Sequence, residues 1–256
     1  MDARARTIEA LNADPATAGL CRSLAFYYGD PAREAAMDRF HADFVGPGDL
    51  AFDLGAHVGD HVGSFRRLGA RVVAVEPQPA CARAIRAIYG TDENVALVEA
   101  ACGAEPGRIR LYVNSDNPTV STTSTRFLRA ADGAPGWAQE RWDRELDVPI
   151  VTLDGLIDAY GVPAFVKIDV EGFEDAVLAG LGRPLAALSF EFTTIERPVA
   201  LRCLTRLAEL GFRRFNLALG DTMALALPGW LSADELARHL LALPRDANSG
   251  DVYCRS

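Results

Sequence analysis

Leu50-Ala51-Phe52-Asp53-Leu54-Gly55-Ala56-His57-Val58-Gly59 runs from a short apolar segment into a glycine-bearing turn. Leu50–Leu54 reads as a strand and His57–Leu68 as the helix that follows it. A strand that passes through glycines into a helix forms the ligand turn of an open α/β sheet, where backbone N–H groups converge on a charged guest. Outward from this turn, short apolar runs alternate with amphipathic stretches, the pattern of a parallel sheet covered by helices. Arg71–Val75, Val95–Ala101, Ala164–Asp169 and Ala187–Phe192 read as strands. Pro79–Tyr89, Leu153–Tyr160, Glu174–Leu181 and Val199–Leu210 read as helices. Arg108–Val113 and Leu146–Thr152 read as an added antiparallel pair, Arg213–Leu219 with Met223–Leu227 as a hairpin, and Asp251–Cys254 as the last strand. Before the turn, Ala3–Leu11, Thr17–Tyr28 and Pro31–Phe44 carry helical spacing, and Asp30-Pro31 reads as a helix start. The expectation is a Rossmann-like α/β domain over residues 46–256 with a helical N-terminal extension over 1–45.

The turn has the spacing D-x-G-x-x-x-G rather than the dinucleotide pattern G-x-G-x-x-G. An aspartate in place of the first glycine repels a pyrophosphate and suits a cationic ligand that carries an amino group and a sulfonium, as S-adenosylmethionine does. At the end of the second strand, Glu76 of Val75-Glu76-Pro77 stands 21 positions after Gly55. An acid about 20 residues beyond such a turn accepts both ribose hydroxyls of an adenosine.

The formal net charge of −9 and the lack of a long basic run exclude the electrostatic footprint of a nucleic-acid binder. The five cysteines, Cys21, Cys81, Cys102, Cys203 and Cys254, show no metal or disulfide spacing and read as reduced thiols. No signal peptide is expected, no window approaches the ~18 unbroken apolar residues of a membrane span, and a cytoplasmic location is expected. Lys167 is the sole lysine among many arginines, a skew expected of a GC-rich bacterial genome.

The sequence resembles the FkbM family of methyltransferases from about Pro47 to Phe192. The resemblance is carried by Pro47-Gly48-Asp49, the turn from Phe52 to Gly59, Val75-Glu76-Pro77, Asn94-Val95, Ala101-Cys102-Gly103, Gly107, the Ser121-Thr122-Thr123-Ser124 insertion, and above all Val166-Lys167-Ile168-Asp169-Val170-Glu171-Gly172-Phe173-Glu174. His57 stands where such enzymes often carry asparagine, and Asp60-His61 where an aromatic pair is frequent. The resemblance implies a seven-stranded sheet with its last strand antiparallel. It also implies methyl transfer from S-adenosylmethionine to a hydroxyl of a small molecule, sugar or natural product, the acceptor itself unspecified. The cofactor residues it implies, with the turn, are Asp53, Gly55, Ala56, His57, Gly59, Glu76, Pro77, Ala101 and Asp169.

The candidate catalytic residues are Asp169, Glu171, Lys167 and His57. Strand alternation places 167, 169 and 171 on one side, at the carboxyl end of a strand where open sheets bind ligands. A carboxylate or histidine there can take the proton of an attacking hydroxyl, although in-line positioning supplies most of the rate. The same carboxylates also read as structural, one capping the next helix and the other pairing with an arginine. Lys167 either anchors an acidic acceptor or holds a carboxylate, and a mid-strand lysine needs such a partner. His61 is a further base candidate, while His41 and His239 read as surface. Paired carboxylates suit a magnesium ion, but the sequence identifies no third ligand and no metal is assigned. The polar loop Asn114–Ser124 reads as an acceptor contact or a mobile tip. Two other readings stay open: a non-catalytic S-adenosylmethionine-binding protein, and an NAD-dependent oxidoreductase, which Asp53 opposes.

Overall fold

The computed structural model describes residues 3–256. Among these, the strands in chain order are β1 (Leu50–Leu54), β2 (Arg71–Val75), β3 (Val95–Val98), β4 (Ala101–Cys102), β5 (Gly107–Val113), β6 (Arg144–Val151), β7 (Phe165–Ile168), β8 (Ala187–Thr193), β9 (Arg214–Leu219) and β10 (Ser249–Arg255). The helices are α1 (Ala3–Ala13), α2 (Cys21–Tyr28), α3 (Pro31–His41), α4 (Asp60–Arg67), α5 (Pro79–Tyr89), α6 (Thr125–Ala131), α7 (Leu153–Tyr160), α8 (Glu174–Ala179), α9 (Arg197–Glu209) and α10 (Ala233–Ala242). Seven strands form the main sheet in the order β3-β2-β1-β7-β8-β10-β9. All of its pairings are parallel except those of β10, which runs antiparallel to both β8 and β9. The fold is thus the expected Rossmann-like methyltransferase sheet, seven-stranded with its last strand reversed. Strand order turns around between β1 and β7, which opens the crevice where such sheets bind ligands.

Because side chains alternate across a strand, each face of the sheet has its own character. One face carries Phe52, Leu54, Val75, Val166, Ile168, Leu188 and Phe190, all buried against α7, α8, α9 and α10. The opposite face begins as an apolar floor, Ala51, Phe165, Ala187 and Tyr253, under Phe40 and Phe65 of α3 and α4. Toward the carboxyl end of the parallel strands that same face turns polar. Asp53 pairs in register with Lys167, Lys167 with Ser189, and Glu191 with Asp251.

The added antiparallel pair is present as β5 and β6, joined by β4 into a second, three-stranded sheet. The continuous third strand expected over Val95–Ala101 divides instead: β3 stays in the main sheet and β4 leaves it for β6. The helix after the first turn starts at Asp60 rather than His57, because Gly59 is left-handed at φ 85°. Met223–Leu227 does not pair as a hairpin strand. There a single backbone bond, Ala226 N–H to Leu217 O at 2.7 Å, is supplemented by the Asn216 side chain, which donates to the carbonyls of Leu227 and Gly229 and accepts from Leu227 N–H. Pro228, lacking a donor, cannot extend such a pairing. Helices α6 and α10 lie in segments with no predicted element. Asp30 caps α3 as expected, accepting from Ala32 N–H at 2.8 Å. The described residues contain no helix long and apolar enough to cross a membrane.

Candidate active site

The turn after β1 is held from several sides. Gly55 and Ala56 N–H both donate to Val75 O, at 2.9 and 3.1 Å, and His57 N–H donates to Glu76 Oε2 at 2.8 Å. A side chain at Gly55 would place its Cβ 1.7 Å from the carbonyl oxygen of Asp169, and one at Gly59 would strike the Tyr89 ring at 2.8 Å. Both glycines are therefore needed for packing by protein groups, where the sequence suggested an approach by the ligand. The direct consequence is that Asp169 is pressed against the turn. From outside, α2 and α5 complete the clamp: Tyr28 Oη of α2 donates to Val58 O and Tyr89 Oη of α5 to Gly59 O, each at 2.8 Å.

A cavity opens above this turn at the β1/β7 crevice. Its wall includes Gly55, Ala56, His57, Glu76, Pro77, Ala101, Lys167, Asp169 and Glu171, so most of the expected site residues meet there. Asp53 and Gly59 lie outside the lining. The Asp53 side chain is buried behind the turn with neither carboxylate oxygen hydrogen-bonded, and burial pushes its pKa up to about 8.

Glu76 is 2% exposed. Its two oxygens accept from His57 N–H and Gln78 N–H, both at 2.8 Å. Burial outweighs those bonds and raises its pKa to about 7. Each oxygen keeps a lone pair for a hydroxyl donor. His57 sits with Nδ1 3.4 Å from Cys81 Sγ and Nε2 3.5 Å from Thr119 Oγ1, edge-on to Tyr27 at 5.9 Å. Burial lowers its pKa to about 4, which leaves a neutral, weakly basic imidazole. His61 also lines the cavity and is likewise depressed by burial. His41 is not a surface residue: it is fully buried, with Nδ1 2.9 Å from Ser64 Oγ and its ring 5.1 Å from that of His61.

At the other end of the cavity, Lys167 Nζ contacts Asp169 Oδ2 at 2.7 Å and Asp251 Oδ1 at 3.4 Å, with its side chain 3% exposed. Burial alone would discharge the amine, but the two carboxylates hold its pKa well above the usual lysine value. The structural role considered for Glu171 belongs to Glu174. That carboxylate accepts N–H bonds from Val170 and Gly172, at 3.2 and 3.1 Å, and so fixes the turn into α8. Glu171 is left facing the cavity, 7% exposed, and burial together with Asp169 and Glu174 drives its pKa well upward. The structure adds partners that sequence reasoning did not name: Tyr27 of α2, Glu191 and Thr193 of β8, and Asp251 of β10 all line the same cavity. The signal for Glu191 was present in Leu188-Ser189-Phe190-Glu191-Phe192, where polar residues alternate with buried apolar ones.

The loop 114–124 is tied down. Asn114 and Asn117 side chains donate to Glu140, Gln78 Nε2 donates to Pro118 O at 3.0 Å, and Trp142 Nε1 donates to Val120 O at 2.9 Å. Of its hydroxyl cluster, Ser121 accepts from Asn114 N–H, Thr122 donates to Glu171 O, and Ser124 caps α6. Those three hydroxyls serve the fold; Ser121 and Thr123 both line the cavity.

The cavity fits S-adenosylmethionine on its charge. Glu76, Asp169, Glu171, Glu191 and Asp251 face one lysine across it, and an entering sulfonium and ammonium favour the ionised forms of the carboxyls that burial has pushed up.

No curated protein matches the sequence. Among solved structures, the chain is similar to an O-methyltransferase from Bacillus cereus in complex with SAH (11% identity, 98% of this chain and 91% of that one, TM-score 0.46). It is also similar to a precorrin-6y C5,15-methyltransferase from Geobacter metallireducens GS-15 (12% identity, 88% and 87%, TM-score 0.43) and to fibrillarin from Aeropyrum pernix with natively bound S-adenosyl-L-methionine (12% identity, 82% and 68%, TM-score 0.43). The methyltransferase FkbM domain matches residues 53–214, well over half of the sequence, and the chain belongs to this family of S-adenosylmethionine-dependent methyltransferases.

Proposed function

We propose that residues 46–256 form an O-methyltransferase domain acting on a hydroxyl of a small molecule, sugar or natural product, with residues 1–45 as a helical extension that braces the cofactor turn. The observation that carries this reading is the position of Asp169. Its backbone packs against Gly55, while its carboxylate opens into the cavity with one oxygen on Lys167 and the other without a donor among the described residues.

S-adenosylmethionine supplies the electrophilic methyl group when bound. Glu76 is placed to hold the ribose and Asp169 to face the cationic end, with Asp53 behind the turn acting on it only through space. The free Asp169 oxygen accepts the proton of the attacking hydroxyl, and Lys167 keeps that carboxylate oriented. His57 is committed to protein neighbours, lying between Cys81 Sγ and Thr119 Oγ1 and edge-on to Tyr27. Glu171, with its pKa raised, orients the acceptor in place of taking its proton. Trapping donor and hydroxyl side by side supplies the larger part of the acceleration.

The test is transfer of labelled methyl from S-adenosylmethionine into a small-molecule extract, followed by identification of the product. A methyl ether is expected, and Asp169→Asn should lower single-turnover transfer by about 10²–10⁴ at unchanged melting temperature and cofactor affinity. An N-methylated product, or near-normal turnover in a stable Asp169→Asn protein, would overturn the corresponding part of the reading.

A further inference from the structure

Among the described residues, the non-glycine residues with a left-handed backbone are His57, Glu171, Met223 and Asn248, at φ 46°, 54°, 48° and 60°. All four line the cavity. Such a backbone is costly for a residue with a Cβ, and proteins hold it where a site needs the side chain in place. His57 and Glu171 belong to the turns after β1 and β7 already described, and asparagine tolerates the conformation through its short polar side chain. Neither account covers Met223, in the segment between β9 and α10. Its side chain packs on the apolar floor of the sheet and also lines the cavity.

The N-terminal helices reach the same part of the cavity. Tyr27 of α2 lines it, with its ring edge-on to His57 at 5.9 Å. The Arg33 guanidinium lies 4.8 Å over that ring and pairs with Asp60 and Asp221, at 3.2 Å each. Asp221 is itself part of the cavity wall, two residues before Met223. The arginine, its side chain 11% exposed, therefore ties the Tyr27 ring to the segment that carries Met223. Burial, with the carboxylates of Asp60, Asp221 and Asp169 nearby, raises the Tyr27 pKa and keeps the phenol a hydrogen-bond donor. Both segments lie outside residues 53–214, the stretch that matches the FkbM domain. Val120, Trp137 and Val170 add further apolar surface to the lining.

We propose that Tyr27 and Met223 select the acceptor, the phenol by a hydrogen bond to an acceptor oxygen and the thioether by contact with an apolar ring or chain, with Arg33 positioning both. This rests on the hydroxyl-acceptor reading above and narrows it. The acceptor is a hydroxyl compound with an apolar ring or chain, of the phenol type rather than a fully hydroxylated sugar. A thioether adapts its shape to a ring, whereas sugar hydroxyls buried against it without partners carry a desolvation cost.

The test uses the full-length protein, methyl-labelled S-adenosylmethionine and three acceptor probes: catechol, naphthol and methyl glucoside. Cofactor affinity and melting temperature are measured on the same preparations. Transfer to the two aromatic probes should exceed transfer to methyl glucoside by about tenfold or more. Tyr27→Phe keeps the ring under Arg33 and should raise the KM of the aromatic probes about three- to tenfold, the scale of one neutral hydrogen bond, with kcat and cofactor affinity little changed. Met223→Asn, whose side chain accepts this backbone, should cut the preference for naphthol over methyl glucoside by about tenfold. Preferential transfer to methyl glucoside, or transfer that both variants leave unchanged, overturns the proposal and leaves the hydroxyl reading standing. No transfer to any of the three by protein that binds S-adenosylmethionine also overturns it, and the product found in the extract experiment then decides the hydroxyl reading separately.

Discussion

Glu76 shows how much one side chain is asked to do. It ends β2 at adenosine distance from the glycine turn, and its two oxygens hold the backbone on which His57 and Gln78 sit. Glu76→Gln keeps an acceptor for one of those N–H groups and loses the charge. It should weaken S-adenosylmethionine binding by roughly 1–3 kcal/mol, the scale of charge-assisted bonds, and calorimetry showing wild-type affinity would remove Glu76 from the ribose site. Its pKa of about 7 against a reference of 4.5 fixes the sign of a pH effect. The folded free protein binds the extra proton, so this group's contribution to stability is lost as pH rises from 4.5 through 7. Ribose hydroxyls favour the ionised form, so cofactor binding releases a proton and strengthens by about tenfold from pH 6 to pH 8. Titrations in two buffers of different ionisation enthalpy measure that proton, and none released near pH 7 would contradict the assignment. Glu76, Lys167 and Asp169 were legible in the sequence because each falls inside a motif with a fixed spacing. His41 was not, because its burial depends on Ser64 and His61, distant in sequence, rather than on its own helix.

Among the elements, the turn between β7 and α8 depends on Glu174. Glu174→Ala leaves the buried N–H groups of Val170 and Gly172 without acceptors, at a cost of about 1–3 kcal/mol. The melting temperature should fall, and acceptor turnover should fall further than cofactor affinity, because Glu171 rides on this turn. Equal loss of both would mean that the turn supports the whole domain and not the acceptor end. The strands of the main sheet were readable because each combines an apolar run with a flanking turn. The split of β3 from β4 was not, since Val95–Ala101 is uniformly compatible with one strand and only the pairing of Ala101 and Cys102 with β6 separates them. Helix α10 left a legible mark that went unused: Ser232 and Glu235 form a reciprocal capping box, the sequence signature of a helix start. The loop 114–124 looked free because its residues are polar. Its anchors, Gln78, Glu140 and Trp142, lie outside it and close only in three dimensions.

Across the whole molecule, one face of one sheet divides into an apolar half that holds the fold and a polar half that holds the chemistry. The N-terminal helices bridge to the polar half. Arg33 of α3 stacks on Phe26 and Tyr27, 5.1 and 4.8 Å from the ring centres, and bonds Asp60 and Asp221 at 3.2 Å each. Glycine turn, acidic floor and N-terminal clamp thus meet around one cavity, and the proposed function requires that cavity to admit a cation and to oppose a pyrophosphate. The most direct test is calorimetric titration of the full-length protein with S-adenosylmethionine, its demethylated product and NAD at the same pH and ionic strength. Saturable one-to-one binding of the first two, with no detectable binding of NAD, is the result expected. Binding of NAD without binding of S-adenosylmethionine would contradict the account at its centre.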